Sequence, residues 1–575
     1  MQRTFKAKSS HPPQFDSHWG PSWVVAWGCV LGVWVPAAVA QAPVTVEDVF
    51  RANERNIRDA QQRKVPEADV FLQDQHAAPQ SKPPVDTDTE TCFPVSRYEL
   101  EGLPAQMEAP PSWLLARYTG PCVGAQQLND LLGELNTWYQ SRGWITTRVY
   151  IEAQKKLTER LQIRVVPGRI EKITINGDDQ DPRVANAFPR RAQGLLNLRD
   201  LEQGLENINR LPSQQGTFKL YPGQEPGTSE VRVEIKDGAR FRLSEMLDNS
   251  GSASLGHWKS TTELAFDNTI QRNDQLAIGL LKNLDRGDLK ALFQGITFSY
   301  LLPVGYHLWT TSASWIDTQF TLPGINTTYP LQTQAQKLGV GYEYLYARDQ
   351  QSKQSLVAGV DVSRQKTQVQ DIEIKSQTRR LTVAYAGLKG KHYNGNQVYD
   401  WSVRVEQGLK AVNAQISLPA GTNSQYRLLK IKAGATWPMP QDRGLVRSAF
   451  TAQAAPHDAP TSAQLQIGGR YDVRGFQQNS LLAPSGWFMR NEYESAAWKQ
   501  GDWRLNAFVG LDAGRVQSTP SRQTSQQHLI GASLGVRGEY KKAKAELAYA
   551  RALSRPNEFS NESQGHWYAQ LSLTF

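Results

Sequence analysis

Beyond Ala40 the 575-residue sequence lacks any uninterrupted apolar run of the length a membrane-spanning helix needs, about 20 residues. Only 39% of its residues are hydrophobic, which excludes a bundle of membrane helices. A membrane β-barrel is not excluded, because only alternate residues of each strand face lipid. Cysteine is scarce: Cys29, Cys92 and Cys122 are all there is. With no CxxC and no His/Cys cluster, zinc and dithiol redox chemistry have no support, and no metal or cofactor is expected. The nine histidines are dispersed, and GxSxG, HExxH and phosphate-loop motifs are missing, so no catalytic set competes for the function. Lys and Arg number 64 against 55 Asp and Glu, a net charge of +9. These charges are scattered, with short clusters such as Lys541-Lys542-Ala543-Lys544 and no long basic tract, which argues against nucleic acid as a partner. Solvated faces and a hydrated lumen account for them better.

What is present begins with an export signal. Arg3, Lys6 and Lys8 precede an apolar stretch from Trp23 to Val35, and Ala38-Val39-Ala40 has the small-x-small pattern of a signal-peptidase site. Residues 1–40 read as a signal peptide cleaved between Ala40 and Gln41. Cys29 then leaves with the leader. Cys92 and Cys122 remain, able to form one disulfide in an oxidising compartment or to stay as two thiols.

Residues 41–64 contain a helix opening at Thr45, with only Val46, Val49, Phe50 and Ile57 as its sparse apolar positions. A helix polar nearly all round suits a wet channel or a solvated tail, and composition does not separate the two. Residues 65–90, with Pro66, Pro79, Pro83 and Pro84, have linker chemistry. Two units of roughly 75 residues follow, at 91–168 and 169–238, each reading strand, helix, helix, strand, strand. The first has a strand at Val95–Glu101, helices at Ser112–Tyr118 and Ala125–Ser141, and strands at Thr146–Glu152 and Leu161–Val166. Cys122 falls between its two helices. The second opens with Ile170–Ile175 and continues with Val184–Phe188, a helix from Arg199 to Arg210, and strands near Phe218–Leu220 and Val231–Ile235.

From 239 to 575 the pattern changes to period two. Trp503, Leu505, Ala507, Val509 and Leu511 alternate with Arg504, Asn506, Phe508, Gly510 and Asp512, and the chain ends on Trp567, Ala569, Leu571, Leu573 and Phe575 interleaved with polar residues. A soluble sandwich also alternates, but this length behind an export signal points to a transmembrane antiparallel β-barrel. At about 10 residues per crossing plus loops, it suits about 16 strands. The fold class is therefore mainly β, with two small α+β domains ahead of the barrel.

Several runs carry a family resemblance. Cys92-Phe93-Pro94-Val95 with Glu99-Leu100-Glu101-Gly102, Val165-Val166-Pro167-Gly168-Arg169-Ile170, Asn197 to Gly204, Arg210-Leu211-Pro212-Ser213 and Asp248-Asn249-Ser250-Gly251 occur in that order. With the order of parts, they resemble the two-partner (type V) secretion transporters of the bacterial outer membrane, the TpsB family of haemolysin secretion and activation proteins. The resemblance implies two periplasmic POTRA domains and a barrel that secretes one large exoprotein: a haemolysin, an adhesin or a contact-dependent inhibition toxin. It implies a plug role for the 41–64 helix. As further partners it implies outer-membrane lipid or lipopolysaccharide and the barrel assembly machinery, for which Phe575 would be the C-terminal signal.

Ile467 to Tyr471 followed by Val473-Arg474-Gly475-Phe476 is similar to the family's loop that folds back into the barrel. Phe508 to Arg515, with Phe508, Asp512 and Gly514, resembles the strand motif that receives it. The resemblance pairs Arg474 with Asp512. The strand phase agrees in placing Asp512 inward, although both could simply be wet lumen charges. Two other readings remain, a barrel-assembly insertase of the same superfamily and a diffusion porin.

Overall fold

The computed structural model describes residues 3–4, 69, 92–152, 160–324, 327–416, 424–517, 527–559 and 565–575. The rest of the leader with its Ala40–Gln41 junction, the 41–64 helix and, apart from Asp69, the 65–90 linker lie outside the described residues.

The first unit is a three-stranded sheet in which Arg160–Val166 lies between Arg97–Glu101, parallel to it, and Arg148–Tyr150, antiparallel. Helices Ser112–Ala116 and Ala125–Ser141 pack on the sheet. The longer helix buries Leu131, Leu135 and Tyr139, with Leu128 and Leu132 partly buried beside them. Cys122 is not in a bare connection. It sits on the strand Gly120–Val123, which pairs with Phe93–Val95. That strand escaped the sequence reading because Gly120-Pro121 shows no alternation and Pro121 has no N–H to donate, which confines it to a sheet edge. A disulfide joins Cys92 to Cys122, with Cα atoms 4.9 Å apart.

The second unit repeats this topology. Thr228–Asp237 lies between Arg169–Ile175, parallel, and Gln214–Pro222, antiparallel. Arg3–Thr4 pairs with the outer edge of Gln214–Pro222. Helices Pro182–Ala187 and Leu198–Asn209 are capped by Asp181, which accepts from Arg183 N at 2.9 Å, and Asn197, which accepts from Arg199 N at 2.8 Å. Leu198–Asn209 is buried on both sides: Leu198, Leu201, Leu205 and Ile208 face their own sheet, while Asp200, Glu202, Glu206 and Asn207 are covered by the barrel.

Among the described residues sixteen main strands, all antiparallel to their neighbours, close on themselves. The closing seam pairs Phe241–Asp248 with His566–Thr574, in register from Ser244–Thr574 to Asp248–Gln570. Closure leaves no edge with unpaired backbone groups in lipid. Alternation assigns the faces. Ile296, Phe298, Leu338, Val340, Leu356, Val360, Val405, Val509 and Leu534 are exposed on the outside. Near the periplasmic turns, Trp309 packs on Tyr342 at 4.6 Å and Trp503 on Tyr540 at 4.6 Å, the aromatic girdle expected at a membrane interface.

The polar side of helix Leu198–Asn209 docks on the periplasmic turns. Asn207 Nδ2 donates to Gly305 O at 2.8 Å, and Gly305 N donates to Asn186 O of the neighbouring helix Pro182–Ala187 at 2.7 Å. Glu206 binds Arg348 at 2.8 Å and Lys353 at 3.1 Å, and Tyr306 donates to Asp200. Burial opposes the charge of Glu206, but Arg348, Lys353 and Arg210 outweigh it and hold its carboxyl below the usual range. At Asp200 burial prevails over the nearby Arg190 and pushes the carboxyl up.

Two outcomes follow from this packing. A Cβ on Gly204 would overlap the Phe188 ring. Gly204→Ala should thus destabilise residues 169–238 by about 1–3 kcal/mol through overpacking, although alanine ordinarily stabilises a helix interior. The readout is a lower urea concentration for protease cleavage there, with barrel heat-modifiability unchanged. Cys92→Ser should cost the 91–168 unit about 3–4 kcal/mol, seen as earlier proteolysis of that unit alone.

Candidate functional site in the lumen

Between strands Gly444–Ala454 and Ser485–Ser495 the chain leaves the barrel rim and folds back inside. Its arms form a short hairpin, Leu465–Ile467 with Leu481–Ala483. Ile467, Val473 and Phe476 are fully buried, in one cluster with Val516, Leu529, Ala552 and Phe559 from the wall and its loops. Gly475 has φ +98°, a left-handed conformation that glycine adopts without penalty, and it lies against the Arg551 backbone. Tyr568 Oη donates to Phe476 O at 3.1 Å.

Arg474 is the centre of the loop's polar contacts. Its Nε donates to Asp512 Oδ2 at 2.6 Å and its Nη2 to Asp512 Oδ1 at 2.8 Å, a bidentate pair. Its backbone N donates to the same carboxylate at 3.1 Å, and Nη1 donates to Glu492 at 2.8 Å. Asp512 is 0% exposed. A charge buried this fully is tolerable only when paired and hydrogen-bonded, and removing one partner of such a pair costs about 3–5 kcal/mol.

The network extends beyond the two residues singled out from the sequence. Glu492 also binds Arg537 at 2.5 Å; Arg537 binds Glu494 at 2.6 Å and Glu546 at 2.8 Å. Arg470, from the same loop as Arg474, binds Glu546 at 2.7 Å. Two loop arginines thereby reach strands Ser485–Ser495, Trp503–Gln517 and Ala543–Ser554, with Arg537 of Gln527–Tyr540 tying them together. The sequence signal for these residues was face parity: each pairs in register with neighbours on the Asp512 side, as Glu492 does with Gly510 and Arg537 with Asn506.

The wall beneath the loop is bare by composition. A Cβ on Gly510 would overlap the Arg474 guanidinium, and one on Gly531 would overlap the Arg474 carbonyl. At Gly514 a Cβ would lie 3.1 Å from Val473 and 3.2 Å from Ile467. Phe508 faces inward, with Arg537 stacked over its ring at 4.1 Å. Phe575 follows the last strand, exposed, with its N donating to Leu243 O at 2.8 Å.

At the periplasmic mouth a second contact matters. Asp69 binds Lys353 and, at 2.6 Å, Lys391, both on the luminal face of their strands. Burial opposes the charge of Asp69, but Lys353 and Lys391 hold its carboxyl well below the usual range.

Residues 227–538, more than half of the chain, match the model of the haemolysin secretion/activation proteins ShlB/FhaC/HecB. Residues 93–168 match a ShlB-type POTRA domain and residues 169–222 a POTRA domain. The chain is 30% identical over 525 residues to the outer membrane transporter CdiB-2 of Burkholderia pseudomallei strain 1026b, covering 87% of this chain and 88% of that one. It is 25% identical over 493 residues to the hemolysin transporter protein ShlB of Serratia marcescens, covering 84% and 86%. The solved structure of CdiB from Escherichia coli superimposes with a TM-score of 0.80 at 22% identity, over 94% of this chain and 100% of that one, a likeness of fold.

The glycine bed can be tested directly. Gly531→Ala should expose loop residues 465–483 to protease added to intact cells. Gly538→Ala, whose Cβ would lie 3.1 Å from the Leu505 side chain on the outer face, should not.

Proposed function

Since the chain belongs to the haemolysin secretion/activation family ShlB/FhaC/HecB, whose members are outer-membrane transporters of two-partner secretion, we propose how its parts divide the work of passing one large exoprotein to the cell surface. The division we assign is a leader at 1–40 cleaved before Gln41, a plug helix at 41–64, a linker at 65–90, POTRA domains at 91–168 and 169–238, and a barrel at 239–575.

The observation that carries the reading is the Arg474–Asp512 pair, which holds a removable obstruction inside an otherwise hydrated cylinder. A loop attached by guanidinium–carboxylate bonds can be displaced as a unit, whereas a wall strand cannot. The cargo's extended secretion domain pairs with a POTRA sheet edge. Once residues 1–40 are removed, Gln214–Pro222 is an edge strand of its sheet among the described residues, and we assign it this role. Helix 41–64 occupies the lumen at rest. In support, Asp69, just five residues beyond that helix, is held at the luminal mouth by Lys353 and Lys391. The cargo then threads the lumen unfolded, and its folding outside supplies direction. Haemolysin, adhesin and contact-dependent inhibition toxin all fit this route. Phe575 acts as the recognition end for the barrel assembly machinery.

Two measurements test the assignment. Arg474→Ala should lower secretion of the partner far more than surface abundance of the barrel; equal loss of both would mean that the pair serves assembly alone. Asp69→Asn and deletion of 44–64 should each raise single-channel conductance in planar bilayers; unchanged conductance in both would remove the plug role.

A further inference from the structure

Among the described residues, the outer face of the barrel carries two arginines that meet neither a carboxylate nor a hydrogen-bond acceptor. On strand Ser352–Val369 the even residues Leu356, Ala358, Val360 and Val362 point to lipid, while Asp361 on the odd face pairs with Lys337 in the lumen at 3.1 Å. Leu356 is 47% exposed and Val360 42%, as expected of side chains that meet acyl chains. The next even residues, towards the extracellular loop, are Arg364 and Lys366. Strand Arg379–Asn394 carries a similar run: Leu388, Ala386 and Ala384 lead up to Thr382, which is buried and donates to Ala411 O at 2.7 Å, and then to Arg380. On Thr328–Arg348, Val340 and Leu338 lead to Gln336. The apolar band therefore ends at one level on three neighbouring strands, and the side chains directly above it are Gln336, Arg364 and Arg380.

Register makes this more than a basic rim. Gln336 pairs with Arg364, and Arg364 pairs with Arg380, so two guanidiniums stand directly opposite each other on one face. Side chains in such pairs have Cβ atoms about 4.5–5.5 Å apart, and like charges there are destabilising. Among the described residues neither Arg364 nor Arg380 has a hydrogen-bond or ion-pair partner, in contrast to Arg470, Arg474 and Arg537 in the lumen. The nearby Lys366 reaches Glu373, at 3.9 Å.

We propose that Arg364 and Arg380, with Lys366 and Gln336, form a binding site for the phosphate of a phosphorylated glycolipid in the outer leaflet. The two planar forks can chelate one phosphate between them, converting repulsion into two charge-assisted contacts. Val360, Val362 and Leu338 lie directly below to receive its acyl chains. Position commits the site to a lipid rather than to free phosphate: the guanidiniums sit where the apolar band stops, the level at which a headgroup phosphate meets its hydrocarbon. The proposal rests on the barrel's place in the outer membrane and is independent of the cargo and of the lumen loop.

The test uses the full-length protein in phosphatidylcholine vesicles with or without bis-phosphorylated lipid A, and with dephosphorylated lipid A as control. Wild type should retain the phosphorylated lipid about tenfold more tightly than the Arg364→Gln/Arg380→Gln variant, and dephosphorylated lipid A equally weakly in both. The variant's melting midpoint should be higher than wild type in plain phosphatidylcholine, where repulsion is removed, and lower once phosphorylated lipid A is present. That crossing is a readout no folding defect produces. Equal retention by both proteins, or a variant less stable in both vesicle types, would overturn the site. Equal stabilisation of the wild type by inorganic phosphate would overturn the assignment to lipid. Single Arg380→Gln, which also removes the repulsion, should show the same crossing in smaller amplitude.

Discussion

Every backbone N–H and C=O within the hydrocarbon must find a partner inside the protein, because lipid offers none. A sheet meets that demand only by closing. Here closure depends on the pairing of Phe241–Asp248 with His566–Thr574, shorter than pairings elsewhere in the barrel, such as His307–Pro323 with Thr328–Tyr344. Closure in turn creates two faces with opposite requirements. The outer one must be apolar across the band. The inner one must be wet, because sixteen strands enclose a space too wide for side chains alone to fill.

The lumen loop is the consequence of that unfilled space. An apolar plug would bind to the wall permanently, and a loose one would not seal. The solution is mixed: Ile467, Val473 and Phe476 supply a small hydrophobic contact, and Arg474 and Arg470 supply directional bonds to carboxylates on three strands. Glycines at 510, 514 and 531 lower the wall so that the arginine and its backbone can reach it. Burying Asp512 completely makes the contact all-or-none, since neither partner is stable there alone.

The fold was largely legible because its signals are periodic. Helix Ala125–Ser141 and the two repeats followed from spacing, and the barrel from alternation over a long stretch. Three features were not legible. The Gly120–Val123 strand has neither alternation nor a full set of donors. The rest of the ionic network around Arg474 depends on which strands become neighbours: Glu492, Arg537 and Glu546 are visibly inward-phased, but only register brings them within 3 Å of one another. The burial of the polar side of Leu198–Asn209 was hidden for the same reason, because its partners Tyr306 and Arg348 come from distant turns.

The same register argument distinguishes the two ways this chain uses arginine. In the lumen, and at the docking of Leu198–Asn209, each arginine of the networks described above meets carboxylates within hydrogen-bonding distance, so burial is compensated inside the molecule. At the outer rim Arg364 and Arg380 face each other with no such compensation from described residues. A protein with a net charge of +9 carries part of that excess there, at the boundary between its apolar band and the exterior. An uncompensated pair in water would cost little, because screening is strong. Set at the edge of a low-dielectric slab it costs more, and the cost is relieved only by an anion that resides at that same depth.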